Sequence, residues 1–259
     1  MINLLNGNCL ELMNSIADNS IDLILCDLPY GTTACSWDTI IPFDKLWEHY
    51  CRIIKDKGNI ILFGQEPFSS ICRMSNLKMY RYDWVWVKQR PSNFQLMNFQ
   101  PGRVQENIMV FSKSSSCYTS NNNTAIYYPQ KQKRNISRKA NVKIYGDVNN
   151  NILNNYKNGQ EDYFKTYNDK LPITILEFNT EVNKVHPTQK PVELLEYLIK
   201  TYTVKGDLVL DNCMGSGSTG VASVKLDRNF IGIELDVDYY KIAEERIKSA
   251  QKVRNQDLW

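Results

Sequence analysis

The sequence lacks closely spaced cysteine pairs and has few histidines, the patterns from which zinc sites and disulfide frameworks are built. The seven cysteines are scattered singly, without a Cys-x-x-Cys pair, and the 259 residues include only two histidines. This pattern argues against a zinc site and against a disulfide framework, and it suits a reducing cytosol. We therefore predict a protein that needs no metal.

Long apolar segments are missing as well. No run approaches the length of a transmembrane helix, and residues 1–6 lack the basic and apolar regions of a signal peptide. We expect a soluble, cytoplasmic protein without a membrane partner. With 42% hydrophobic residues, the chain can bury a full core as one large domain, with or without an insert.

The net charge is small, but it is unevenly distributed. A formal charge of +3 does not by itself indicate a nucleic-acid partner. Between Ser112 and Tyr145, however, seven Lys or Arg residues occur without any Asp or Glu, and tyrosines and asparagines lie between them. Such a stretch is typical of a surface that contacts phosphates and bases, and equally of a solvated loop. The candidate nucleic-acid-binding residues are Lys131, Lys133, Arg134, Arg138, Lys139 and Lys143.

Strand and helix patterns alternate along the chain, which predicts an α/β fold with a mostly parallel sheet covered on both faces. The predicted strands are 21–26, 59–63, 82–88, 107–111, 207–210 and 229–233. The predicted helices are 42–54, 67–77, 192–202, 218–226 and 238–252. From 112 to 185 the periodicity fades, and we predict an inserted region with little regular structure that lies outside the sheet.

A tetrapeptide whose groups could bind a ligand follows the first of these strands. Asp27, Leu28, Pro29 and Tyr30 come directly after an apolar run that ends at Cys26. In open α/β sheets, ligands bind at the carboxyl ends of strands. A carboxylate, a carbonyl oriented by the next proline and an aromatic ring suit an exocyclic amino group on a flat base. From these four residues alone, an ordinary proline turn is the alternative.

A glycine-rich loop follows a later strand. Asp211 precedes the stretch from Gly215 to Gly217, a predicted helix begins at Ser218, and the next strand ends at Glu234. This order is typical of nucleoside binding, in which glycines admit a close ligand and the acid accepts hydrogen bonds from the ribose. The third glycine comes too early for a dinucleotide site, and no lysine follows as in a P-loop. Because Asp211 would repel phosphate, the loop favours a cationic ligand such as the adenosyl sulfonium cofactor of methyl transfer.

Three motifs in a fixed order resemble those of the amino-group DNA methyltransferases. They are Asp27 to Tyr30, then His186 to Pro191 (His-Pro-Thr-Gln-Lys-Pro), then Asp211 to Thr219. With the catalytic motif first, the cofactor loop last and the recognition region between them, the chain is similar to the permuted β group. The stretch 27–38 looks like the small adenine methyltransferases of phage and prophage type.

This resemblance implies a fold and a domain organisation. The fold would be a Rossmann-like, seven-stranded, mostly parallel methyltransferase sheet with helices on both faces and a circularly permuted motif order. The chain would divide into a catalytic half at 1–111, an inserted target-recognition region at 112–185 and a cofactor-binding half at 186–259.

The resemblance also implies roles for individual residues. Asp27 and the Leu28 carbonyl would accept hydrogen bonds from the amino group of a flipped-out adenine. Pro29 would orient that carbonyl, and Tyr30 would stack on the base. Asn8 stands where the family usually has an Asp near the adenine of the cofactor, and its amide can both donate and accept. The residues expected to hold the cofactor, S-adenosylmethionine, are Asn8, Cys9, Asp27, Thr188, Gln189, Lys190, Asp211, Gly215, Gly217, Ser218, Thr219 and Glu234.

The implied reaction is site-specific transfer of a methyl group to N6 of adenine in double-stranded DNA. Three alternatives stay open. The first is transfer to N4 of cytosine, for which family members more often carry Ser at the position of Asp27. The second is methylation of RNA or protein, for which the motif order is usually reversed, and the third is a DNA-binding protein without catalysis. The recognition sequence, a homodimer of the kind that β-group members often form, and a restriction partner are not determined by the sequence.

Overall fold

The structure is a computed structural model that describes residues 1–31, 39–117, 123–141, 164–181 and 189–256. The chain divides into two compact units. The larger comprises Met1–Tyr128 and Thr174–Trp259, and the smaller comprises Pro129–Ile173. Along the described ranges, no helix combines the length and the apolar character that crossing a membrane requires.

The described residues form ten strands and six α-helices. The strands are β1 (Ile2–Asn6), β2 (Ile21–Cys26), β3 (Ile54–Gly64), β4 (Tyr80–Val87), β5 (Gln105–Phe111), β6 (Gln132–Asn141), β7 (Phe164–Lys170), β8 (Ile175–Glu177), β9 (Leu208–Asp211) and β10 (Asn229–Glu234). The helices are α1 (Cys9–Leu12), α2 (Phe43–Ile53), α3 (Phe68–Ser75), α4 (Val192–Tyr202), α5 (Ser218–Lys225) and α6 (Val237–Gln256).

The larger unit is built on an eight-stranded sheet with the order β1-β10-β9-β2-β3-β5-β4-β8. Neighbours from β1 to β3 are parallel, β5 is antiparallel to both β3 and β4, and β8 is parallel to β4. The predicted Rossmann-like, mostly parallel α/β fold is confirmed, with eight strands in place of seven.

Helices cover both faces of this sheet, as the side chains of β2 illustrate by pointing alternately to the two faces. All six residues of β2 are buried. Ile24 and Cys26 pack in the layer beneath α1, α2 and α3. Leu23 and Leu25 pack in the opposite layer, beneath α4, α5 and α6. Since full burial of one such aliphatic side chain contributes about 1.5–3 kcal/mol, this central strand anchors both layers.

The stretch 112–185 contains more regular structure than its sequence indicates, and the prediction was wrong on this point. β8 joins the main sheet beside β4. In the smaller unit, β6 pairs antiparallel with β7. β8 has only three residues, of which Leu176 alone is buried. A strand this short is too brief to show the alternation of apolar and polar residues by which strands are predicted.

The strand order creates a crevice between β2 and β9. These strands are adjacent and parallel. The chain leaves β2 towards α2 on one face of the sheet, and it leaves β9 towards α5 on the other face. Such a switch point opens a ligand crevice outside the carboxyl ends of the strands. Asp27 follows β2 directly and Asp211 ends β9, so both acids lie at this crevice.

Candidate functional site

A cavity of about 790 Å³ lies at the carboxyl ends of β2, β9 and β10. It brings together most of the site residues named from the sequence. Those in its wall are Asn8, Cys9, Asp27, Leu28, Pro29, Tyr30, Gln189, Lys190, Asp211, Gly215, Ser218, Thr219 and Glu234. Gly217 lies outside the cavity wall. Thr188 lies outside the described residues.

The Asp27 carboxylate is held from two sides. The Tyr30 hydroxyl donates to its Oδ1 at 2.6 Å, and the Lys190 ammonium donates to its Oδ2. Burial raises the pKa of Asp27, an effect that the Lys190 charge opposes and the nearby Glu106 charge reinforces. Asp27 is therefore a hydrogen-bond acceptor in a poorly solvated place, where electrostatic interactions are stronger than in water.

Glu106, in β5, completes this charge network and was missed by the sequence analysis. Its side chain is 2% exposed, and its carboxylate pairs with Lys88 at 2.5 Å and with Lys190 at 2.9 Å. The Tyr30 hydroxyl lies 3.1 Å from it. Although burial opposes the charged form, the Lys190 and Lys88 ammoniums lower the pKa of Glu106 to about 2. An acid beside an apolar strand is the only hint in the sequence, and it does not identify the partners.

Tyr30 is fixed by its ring as well as by its hydroxyl. The ring packs against Phe68 with centroids 4.8 Å apart and an angle of 31° between planes. The Lys190 ammonium lies 5.9 Å from the centre of the Tyr30 ring. With the hydroxyl bonded to Asp27, both ends of this side chain are held in place beside the cavity.

Asp211 supplies a second buried acid to the cavity, at the end of β9. One of its oxygens accepts a hydrogen bond from the Cys213 backbone N–H at 3.1 Å. Burial raises the pKa of Asp211 to about 7, against the lowering effect of a hydrogen bond from Thr219. A carboxyl group with so little solvent favours a cationic ligand, whose charge stabilises the ionised form.

Gly217 lets the loop before α5 pack closely against α6. It has φ +78° as the residue that precedes α5, a conformation that side chains rarely tolerate. A Cβ at this position would lie 2.8 Å from the Cβ of Ala243 in α6. The resemblance implies a cofactor role for Gly217, which stays a prediction, and the structure shows that the loop packs on α6 at this residue.

Glu234 at the end of β10 organises the loops around it. Its Oε2 accepts from the Gly215 N–H at 2.8 Å, and its Oε1 accepts from the Asp236 N–H at 2.9 Å. Its backbone carbonyl accepts from Gly7 at 2.9 Å. Burial raises the pKa of Glu234. Each carboxylate oxygen has a second lone pair, which is available to ligand hydroxyls.

Asn8 and Cys9 form the edge of the cavity after β1. The Asn8 side-chain oxygen caps α1 by accepting from the Leu10 N–H at 3.0 Å. Its amide NH₂ group can still donate to a ligand. Cys9 is buried, and a hydrogen bond from Cys213 lowers its pKa to about 7, an effect that burial opposes.

The basic candidates occupy the smaller unit. Lys131, Lys133 and Arg138 are exposed. Arg134 is half-buried and donates through Nε to the Asp169 carbonyl at 3.1 Å. Two candidates cannot be placed fully: the side chain of Lys139 and the whole of Lys143 lie outside the described residues. Across the ranges that the structure describes, no group of three or more His, Cys, Asp or Glu is placed to hold a metal ion.

Comparisons with known proteins agree on one family. Residues 21–245 match the family model N6_N4_Mtase, described as DNA methylase. Type II methyltransferase M.HpaI of Haemophilus parainfluenzae is 30% identical over 258 residues, which cover 95% of this chain and 74% of that protein. DNA adenine methyltransferase YhdJ of Escherichia coli (strain K12) is 25% identical over 273 residues, which cover 98% and 85%.

A solved structure resembles the fold as a whole. The crystal structure of the M1.HpyAVI-SAM complex superposes with a TM-score of 0.59 at 23% sequence identity. The match covers 95% of this chain and 100% of that chain. At this identity the likeness establishes the shared architecture.

Proposed function

Because this chain belongs to the DNA methylase family of N6 and N4 methyltransferases, we propose that it methylates the N6 amino group of adenine in double-stranded DNA. As a member of that family it is a DNA methyltransferase, and its cofactor is S-adenosylmethionine. The observation that supports the proposal best is the meeting of Asp27 and Asp211 at one cavity, at the ends of two adjacent strands.

Asp27 would activate the amino group. The amino nitrogen of adenine is a poor nucleophile because its lone pair is drawn into the ring. Its two N–H groups would donate hydrogen bonds to the Asp27 carboxylate and the Leu28 carbonyl. These bonds would restore tetrahedral character to the nitrogen and offset the positive charge that develops on it. The site needs no nucleophile of its own, since the methyl group would leave the cofactor sulfur as it bonds to the amino nitrogen, which would then lose a proton. Burial strengthens the effect of the Asp27 charge on the transition state.

The opposite side of the cavity would hold the cofactor, which supplies a methyl group on a cationic sulfur. Asp211 and Glu234 provide two buried carboxylates. Gly215 lines the cavity in the loop that follows Asp211, and the space around its Cα is open. Because no lysine follows the glycine loop as in a P-loop, its acids fit a cationic nucleoside better than a nucleotide. Asn8, Cys9, Gln189, Lys190, Ser218 and Thr219 line the same cavity and complete the proposed set.

The choice of adenine over cytosine rests on Asp27. Members that methylate cytosine more often carry Ser at this position, and the relative YhdJ is named as an adenine methyltransferase. Recognition of the DNA sequence is assigned to the region 112–185, with its basic residues Lys131, Lys133, Arg134, Arg138, Lys139 and Lys143. The cytoplasmic location stays a prediction, and a homodimer and a restriction partner stay open.

The test begins with the product. Duplex DNA is incubated with the protein and methyl-labelled S-adenosylmethionine, then digested to nucleosides and analysed by mass spectrometry. We expect labelled 6-methyladenine. Labelled 4-methylcytosine in its place would overturn the choice of base, and label in RNA or protein but not in duplex DNA would overturn the DNA assignment. Single-molecule sequencing of DNA from cells that express the chain would then identify the recognition sequence.

A further inference from the structure

The connection between β4 and β5, residues 88–104, forms an ordered extension that we call the aromatic loop. Its neck is closed by backbone hydrogen bonds from Lys88 to Val104 at 2.6 Å and from Ser92 to Arg103 at 2.9 Å. The Asn93 side chain fastens the tip, since its Oδ1 accepts from the Arg103 N–H at 2.5 Å and its Nδ2 donates to the Pro101 carbonyl at 3.1 Å. The loop is therefore a built element of the fold.

The tip of the aromatic loop exposes two large aromatic side chains. Phe94 is 77% exposed and Phe99 is 87% exposed. Both belong to a compact turn in which the Phe99 N–H donates to the Leu96 carbonyl at 2.9 Å. Phenylalanine is usually buried, so two exposed rings on a tied loop indicate a surface that is covered in a complex.

The charge of the loop identifies the kind of partner. It carries Lys88, Arg90 and Arg103, and no Asp or Glu occurs from 88 to 104. Its neck residues Arg90, Pro91, Ser92, Asn93 and Arg103 line the same cavity as Asp27. The rings thus extend from an element whose base forms part of the catalytic cavity and whose charge suits a polyanion.

We propose that Phe94 and Phe99 form a wedge that enters the DNA duplex and fills the gap left by the flipped-out target base. This inference rests on the proposed function, because Asp27 can reach an exocyclic amino group only when the base has left the stack. The gap exposes the faces of two neighbouring bases, and an aromatic ring offers them a replacement stacking partner. Arg90 and Arg103 at the neck would contact the adjacent phosphates.

A second copy of the chain fits the loop less well. In a two-fold contact centred on the loop, the cationic neck of one copy would face the cationic neck of the other. Such a contact would also cover an element whose neck lines the cavity that holds Asp27. Double-stranded DNA satisfies both the apolar tip and the cationic neck.

The experiment compares paired and unpaired targets in duplexes that contain the recognition sequence found by sequencing. In one duplex the target base is paired, and in the other it faces an abasic site. The double variant Phe94→Ala/Phe99→Ala should lose about ten- to a hundredfold in kcat/KM on the paired target, since it no longer stacks on the bases beside the gap. On the unpaired target, whose flipping costs less, the loss should be several times smaller.

Two controls accompany the double variant. Met74→Ala removes an apolar side chain that is 67% exposed on α3 and absent from the cavity wall, and it should match wild type on both duplexes. A 2-aminopurine at the target position should brighten when wild type binds and brighten less with the double variant. This fluorescence reports flipping independently of turnover, and thermal unfolding shows that the variant is folded.

Several results would overturn the wedge. They are wild-type turnover of the double variant on the paired target, an equal loss on both duplexes, and conversion of a dimeric wild type into a monomer by the double variant, which would identify a second copy as the occupant. If wild type transfers no methyl group to DNA, the proposed function fails instead. If the double variant flips the target base as well as wild type does, the wedge is refuted and the proposed function still stands.

Discussion

Lys190 and Asp27 are separated by 163 positions in the sequence, and their side chains form an ion pair at the cavity. The same Lys190 ammonium lies 2.9 Å from Glu106. It therefore occupies an acceptor atom of Asp27 that an incoming amino group would use. In the proposed reaction, Lys190 would release Asp27 to the amino group and keep Glu106 as its counter-charge.

Removal of the Asp27 carboxylate should abolish catalysis while the cofactor still binds. For Asp27→Ala we expect kcat to fall by at least about a hundredfold, by analogy with the loss of one group that stabilises developing charge. Turnover is measured with labelled S-adenosylmethionine, and cofactor affinity by calorimetry. Asp18→Ala, at an exposed carboxylate paired with Arg52, serves as the control and should retain full activity. Unchanged turnover of Asp27→Ala would refute the assigned role.

Neutralising Glu106 should destabilise the protein. Glu106→Gln leaves the ammoniums of Lys88 and Lys190 without their shared counter-charge, and breaking a buried pair of this kind costs about 3–5 kcal/mol. The matched control is Glu48→Gln in the exposed pair with Lys45, which should change the free energy of unfolding by less than about 1 kcal/mol. Urea unfolding of both variants checks the difference, and equal midpoints would contradict it.

Two glycine substitutions should separate backbone strain from steric overlap. Gly217→Ala places a Cβ 2.8 Å from Ala243 at φ +78°, so strain of about 1–2 kcal/mol adds to an overpacking cost of about 1–3 kcal/mol. Gly206, at φ +90°, has open space around it, so Gly206→Ala should show the strain alone. Thermal unfolding of the two variants measures the difference. A larger loss for Gly206→Ala would be inconsistent with this packing.

Asp211 should make stability depend on pH. Its folded pKa of about 7 lies above the unfolded value, so the folded state binds more protons between about pH 4 and pH 7. The free energy of unfolding of the cofactor-free protein should therefore fall as pH rises through this window, by up to about 4 kcal/mol. Asp211→Asn should lack this component. Urea unfolding of both proteins at several pH values measures it, and parallel curves would argue against a raised pKa.

The alternation of strands and helices and the order of the motifs could be predicted from local sequence patterns. Apolar runs of the right length revealed β2 and β10, and helical spacing revealed α2 and α4, because both patterns arise from local burial. The acids that follow strands, Asp27 and Asp211, could be expected at one edge of a parallel sheet. Family membership followed from the same motifs.

Contacts between residues that are distant in the sequence could be found only in the folded chain. The pairing of Lys190 with Asp27 and Glu106 follows from the packing of three separate segments, which no local pattern encodes. β8 gains its place by pairing with β4, and the packing role of Gly217 depends on Ala243 in α6. Local periodicity reports whether a residue is buried. Only the folded chain fixes which charge lies beside which carboxylate.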